Sequence, residues 1–191
     1  MGSDPRSERH AVLAELLATE GLDALLVTSL PNIRYLTGFS GSAALGIVTA
    51  RGVLLVTDSR YEEQARAEAD GAARVVIERT SVWERLFKEL GSYGPLETIG
   101  YEAHAVWAKD AQRFAATATA WQWRAAPELV ERLRLRKTPA EVAAIRAAAT
   151  LAGEALRATL CAVRVGQTEC EIAGMLEGHL RRCGSEAHPF P

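Results

Sequence analysis

The sequence predicts an α/β protein: a mixed β-sheet flanked by helices over residues 1–130, then a linker helix and the start of a second unit over 131–191. Three observations predict it. Short apolar runs alternate with helical-period segments from Ser7 to Ala125. At Pro127 the character changes, and only helical periodicity follows. The charge divides there as well: residues 1–130 carry 13 basic and 17 acidic side chains, residues 131–191 carry 9 and 7.

The first element is a helix from Ser7 to Thr19, with Val12, Leu13, Leu16 and Leu17 on one stripe and Gly21 at its stop. Leu22–Thr28 is a short, mostly apolar run, as in a strand buried on both faces. Pro31 opens a turn or short helix through Leu36, ended by Gly38. Ala43–Thr49 and Val53–Thr57 are β-branched runs joined by Ala50-Arg51-Gly52, a hairpin link. Asp58 or Ser59 caps a helix from Arg60 to Ala69. A strand at Arg74–Glu78 precedes a helix capped by Ser81 and running through Leu90. Glu97–Tyr101 is a strand, Ala105–Ala118 a helix, and Trp121–Ala125 a half-buried strand.

Beyond Pro127, the Leu-spaced, basic segment Glu128–Arg136 reads as a linker helix. Two capping boxes follow, Thr138-Pro-Ala-Glu141 and Thr168-Glu-Cys-Glu171, each heading a long helix. The first helix places Val142, Ile145, Ala149, Ala152, Leu156, Leu160 and Val163 along one seam; the second places Ile172, Leu176 and Leu180 likewise, ending at Gly184. Such faces require a partner surface, and Ser185–Pro191 is too short to supply a sheet. The reading is therefore of a second unit that is incomplete, or of helices that pack on the first unit or on another subunit.

Composition excludes several classes. A chain of 191 residues with 48% hydrophobic residues and a net charge of −2 is not disordered. No apolar run reaches the roughly 18 residues of a membrane span, and the balanced charge leaves no footprint for nucleic acid or an acidic membrane. Cys161, Cys170 and Cys183 are too few for a disulfide framework, and the start has neither a basic nor an apolar signal region, so the cytoplasm is expected.

Few side chains form a chemical constellation. His179 and Cys183, four apart on one helix, have metal-ligand spacing, but Cys170 lies about 13 Å away along the axis; a surface histidine beside small thiols is the plainer reading. Gly38-Phe-Ser-Gly-Ser42 lacks the lysine and glycine spacing of a phosphate-binding loop and reads more simply as a strand-entry turn. Asp23, Asp58, Glu62 and Glu63 are nuclease-like carboxylates only if Asp58 is not a helix cap. Trp121 and Trp123 share a strand face, for stacking or for core packing. Arg132, Arg134, Arg136 and Lys137 read as a solvated basic face.

Four segments, in order, resemble the creatinase/prolidase/aminopeptidase P family of "pita-bread" metallopeptidases. They are Asn32-Ile-Arg-Tyr-Leu-Thr-Gly-Phe39, Thr57-Asp-Ser-Arg-Tyr61 with Gln64-Ala65, Leu133-Arg-Leu-Arg-Lys137 with Glu141 and Ile145-Arg146, and Gly166-Gln-Thr-Glu-Cys-Glu-Ile-Ala173. Gly184 to Phe190 resembles the approach to the first catalytic strand. The resemblance implies an N-terminal mixed-sheet domain followed by the start of a pita-bread α+β catalytic domain. In that family two divalent metals, commonly manganese, cobalt or zinc, are held by two Asp, one His and two Glu, and a bridging water attacks the bond before proline. Those ligands lie beyond the helix pair and the strand after it, so the resemblance matches no residue here to a metal ligand. It does make Phe39, Ser40, Gly41 and Ser42 candidate substrate-binding residues, because the family's corresponding loop lies near the active site of a partner subunit. The loop has no Arg or Lys, which argues against the creatinase reaction.

The expectation is the N-terminal portion of an Xaa-Pro peptidase, inactive by itself. It would supply homodimer contacts and a pocket wall for proline-containing peptides. The alternatives are a non-catalytic, peptidase-like binding module and, third, a nuclease-like enzyme using Asp23 and Asp58.

Overall fold

The computed structural model describes residues 4–186, and the chain divides into two compact units between Leu135 and Arg136. The first unit runs α1 (Pro5–Thr19), β1 (Ala24–Val27), α2 (Leu30–Thr37), β2 (Ala44–Thr49), β3 (Gly52–Asp58), a 3-10 turn (Ser59–Tyr61), α3 (Glu62–Glu68), β4 (Arg74–Glu78), α4 (Val82–Gly91), β5 (Thr98–Glu102), α5 (Ala108–Thr117), β6 (Gln122–Ala126) and α6 (Leu129–Leu135). The second contains α7 (Pro139–Ala162) and α8 (Glu169–Arg182). His188 and the rest of 187–191 lie outside the described residues.

The six strands form one mixed sheet in the order β4-β3-β2-β1-β5-β6. Only β2 runs against the others, pairing antiparallel with β1 and β3; the remaining pairs are parallel. Both faces are covered, which is why the central strands read as unbroken apolar runs. Leu25, Val27, Val48, Val53 and Leu55 pack with Leu13, Leu17, Ile33 and Leu36 of α1 and α2. Ala24, Leu26, Ile47, Leu54 and Val56 pack with Leu86 and Leu90 of α4 and Phe114 of α5.

Three sequence readings change in detail and a fourth is decided. Asp58 caps a 3-10 turn rather than a helix from Arg60: its carboxylate accepts the Arg60 N–H at 3.0 Å and the Arg60 guanidinium folds back on it. The helix expected from Ala105 starts at Ala108, because the Ala105 and Val106 N–H groups both donate to the Glu102 carbonyl. Of the two roles read for Trp123, core packing holds: its ring lies 4.5 Å from that of Phe114 and its indole N–H donates to the Ala118 carbonyl. The helix read as a linker is docked, with Leu129 and Val130 at 1% exposure in the core.

In the second unit both capping boxes form as read, with reciprocal bonds at Thr138/Glu141 and Thr168/Glu171. The seam does not. α7 meets α8 through Ala155 and Thr159, which are buried, and the Thr159 hydroxyl bonds His179 Nδ1 at 2.9 Å. Small residues let the backbones approach, and the larger stripe one position along is left outside: Ile145, Leu156 and Leu160 are 55%, 48% and 63% exposed.

Edge strand β4 is fastened to α4 by a carboxylate between two arginines. Glu89 lies 2.5 Å from Arg74 and 2.8 Å from Arg85. Burial acts to raise its carboxyl pKa, but the two guanidinium groups outweigh it and hold it below the ordinary 4.5. The pair's contribution is therefore present above about pH 4.5 and lost as pH falls through the lower folded value. Glu89→Gln is expected to cost about 1–2 kcal/mol at pH 7, discounted for the half-exposed Arg74. It should also flatten the acid limb, read from urea midpoints between pH 7 and pH 3.

Candidate functional site

The loop after α2 is built from its glycines and one aromatic ring. Gly38 ends α2 at φ 88°, a left-handed cap, and a Cβ there would lie 2.8 Å from the Glu68 carbonyl oxygen. Phe39 turns inward, 1% exposed, with its ring edge-on to Tyr61 at 5.6 Å. Gly41 closes over that ring, where a Cβ would stand 2.2 Å from its tip. The alternation then puts Ser40 and Ser42 outside.

Both serines are held from below. The Ser40 N–H and hydroxyl donate to the Glu68 carboxylate at 2.7 and 2.8 Å, and Gln64 bridges the same two groups. Ser42 Oγ and the Tyr61 hydroxyl are 2.6 Å apart. Burial acts to raise the Glu68 pKa, but the Ser40 and Gln64 donors prevail and keep it low. Arg6 braces the base, donating to the carbonyls of Thr37, Glu68 and Asp70. Because a resident carboxylate takes the Ser40 N–H, the loop does not cradle a phosphate. It presents a fixed, neutral rim of two hydroxyls. Of the four candidate residues, then, Ser40 and Ser42 face outward, while Phe39 and Gly41 set their height.

The remaining candidates do not converge. Asp23 precedes β1 and accepts the Glu97 and Thr98 N–H groups at 2.8 and 2.9 Å. Asp58 ends β3, which runs parallel to β1 because both oppose β2. The two carboxylates are thus at opposite ends of the sheet, about 20 Å apart at strand rise, and share no metal.

A second polar centre escaped sequence reasoning. At the C-terminal ends of β1 and β5, the Glu102 carboxylate accepts the Thr28 and Ser29 N–H groups at 2.7 and 2.8 Å and the Asn32 amide at 2.5 Å. The same Asn32 nitrogen donates to Glu131, and its Oδ1 accepts from Arg134 at 2.8 Å. His104 Nε2 lies 3.1 Å from Glu131. Glu102 is pushed above its ordinary value chiefly by burial, against the Asn32, Ser29 and Thr28 bonds and with help from Glu131. One signal could have found it: a glutamate ending an apolar strand beside another strand that ends in a polar turn.

With this geometry in hand, comparison places the chain. Residues 9–136 match the creatinase/prolidase N-terminal domain family, and the chain belongs to that family. Among individual proteins, it is 30% identical over 93% of its length to an uncharacterized peptidase, YqhT, of Bacillus subtilis, of which it covers 50%. It superposes on an Xaa-Pro dipeptidase from Bacillus anthracis at a TM-score of 0.87 with 26% identity, over 95% of this chain and 50% of that one. The N-terminal domain of the cytoplasmic peptidase PepQ from Mycobacterium tuberculosis aligns at a TM-score of 0.60 and 35% identity, over 66% of this chain and 98% of that one. The chain thus spans about half the length of the two longer relatives. No helix among the described residues is long and apolar enough to cross a membrane.

Proposed function

We propose that the chain is the N-terminal portion of an Xaa-Pro peptidase and contributes a pocket wall and homodimer contacts to proline-containing peptide substrates in the cytoplasm. One observation carries this reading: the fit to an Xaa-Pro dipeptidase over 95% of the chain at a TM-score of 0.87. The family's dinuclear metal, manganese, cobalt or zinc, is not accommodated by these residues. Among the described residues no three His, Cys, Asp or Glu side chains are grouped to hold an ion. His179 is engaged by Thr159, and Asp58 by Arg60. No hydrolytic step is assigned to the described residues. The chain's part is to present the Ser40 and Ser42 hydroxyls as a rigid rim.

The test compares two proteins. The whole reading frame that contains this chain, supplied with Mn²⁺, is expected to release proline from Xaa-Pro dipeptides or to cleave the bond before proline in longer peptides. The 191-residue chain alone is expected to do neither. Robust turnover by the chain alone overturns the placement of the metal elsewhere. Absence of Xaa-Pro cleavage by the whole frame overturns the peptidase reading in favour of a non-catalytic binding module.

A further inference from the structure

The polar centre at Glu102 lies at a particular place in the sheet. β1 and β5 are parallel neighbours, yet the chain leaves β1 toward β2 and leaves β5 toward β6, on the opposite side. Their first helices also part, α2 packing on one face of the sheet and α5 on the other. Open α/β sheets take ligands in the crevice outside the strand ends at such a reversal of order. Here the crevice is filled by the chain itself, because the side chains reaching Asn32 and His104 are Glu131 and Arg134 of α6.

α6 is a weakly anchored occupant. It has seven residues, too few to hold helical form alone, since isolated helices below about 12 residues are marginal. Its apolar anchors, Leu129 and Val130, sit at its start; Leu133 is half-buried and Leu135 is 77% exposed. Its polar attachment centres on Asn32, which is fully buried and binds α6 through both ends of its amide, with His104 beside Glu131 as the second contact. The attachment is also imperfectly satisfied. Among the described residues, Thr28 Oγ1 and Glu131 Oε2 are buried without a hydrogen-bond partner, and an incompletely paired polar cluster is a weak point in a fold.

We infer that α6 is a releasable strap, latched by Asn32 into the switch-point crevice, that opens without unfolding of the sheet. Its release uncovers a crevice lined by Asn32, Glu102 and His104. This follows from the first unit alone and stands whether or not the peptidase reading holds.

Trypsin tests it on the intact chain. Arg132 and Arg134 lie in the strap, and Arg124 lies in β6, paired with β5 in the sheet. Cleavage of locally opened segments follows the population of the open form. In Asn32→Ala, cutting after Arg132 is expected to rise about tenfold relative to wild type, with cutting after Arg124 little changed. Arg134→Gln removes the bond from the strap side, leaves the core intact, and should raise cutting after Arg132 likewise. Rates at Arg124 and Arg132 rising in step would show that α6 opens only with the whole domain. Rates unchanged at Arg132 in both variants would show that Asn32 is not its latch. Either result overturns the strap.

Discussion

Phe39→Ala is expected to lower the unfolding free energy by about 3–5 kcal/mol, the range for deleting a buried aromatic ring into a space that does not collapse. The walls explain why the space stays open. Tyr61 stands edge-on to the ring and is tied through its hydroxyl to Ser42. The loop above is held down at Ser40 by Glu68 and braced by Arg6, so Gly41 is not free to sink far into the cavity. Removing one of the small bonds instead, as in Ser40→Ala, should cost only about 0.5–1.5 kcal/mol. Urea unfolding with an unchanged m-value checks both. A loss below about 1 kcal/mol for Phe39→Ala would show that the ring does not anchor the loop. The contrast separates two roles in one motif: the inward residues hold the loop at its height, and the outward hydroxyls are what a substrate or partner can meet.

The motif around that loop was legible in the sequence, but its division into inward and outward residues was not. The order Gly-Phe-Ser-Gly-Ser announces a tight turn into a strand. Which side chain turns in depends on Tyr61 and Glu68, which arrive from another segment. Local rules succeeded where local forces decide. The strand at Arg74–Glu78 and both capping boxes stand where they were read, because a cap and a buried β-branched run each depend on a few adjacent residues. Which stripe of α7 meets α8 was not legible, because a helix with apolar residues most of the way around does not declare which one its neighbour will choose. The Asn32 centre was missed for a simpler reason: its partners lie 70 and 99 residues away, and the one local signal, a glutamate ending an apolar strand, names no partner by itself. The strap fell between these cases, since its leucine spacing was read correctly as a helix while Arg134, which bonds the buried Asn32, was read as part of a solvated basic face.

Glu102 is where that distant arrangement has its largest energetic consequence. In Glu102→Ala the Thr28 and Ser29 N–H groups lose their acceptor and the Asn32 amide loses one of its two. Each stranded buried donor costs about 1–3 kcal/mol, so a total of about 3–5 kcal/mol is expected after partial relaxation. The charge can be separated from the hydrogen bonds with Glu102→Gln, which keeps the shape and one acceptor. Burial has raised the carboxyl above the ordinary 4.5 despite those three donors. The folded state therefore holds its proton more tightly than the unfolded chain. This contribution to stability is full below about pH 4.5 and is lost as pH rises through the folded value. The stability of wild type relative to Glu102→Gln should accordingly be greatest in acid and decline toward neutrality. Glu89→Gln must show the reverse, because its carboxyl is held low and its contribution grows as pH rises. Urea unfolding of the three proteins across pH 3–8 measures both slopes, the Glu89 slope below about pH 4.5 and the Glu102 slope above it. A wild-type advantage over Glu102→Gln that grows with pH would mean that the three donors, not burial, govern the carboxylate, and that the crevice beneath α6 is built around a stable negative charge.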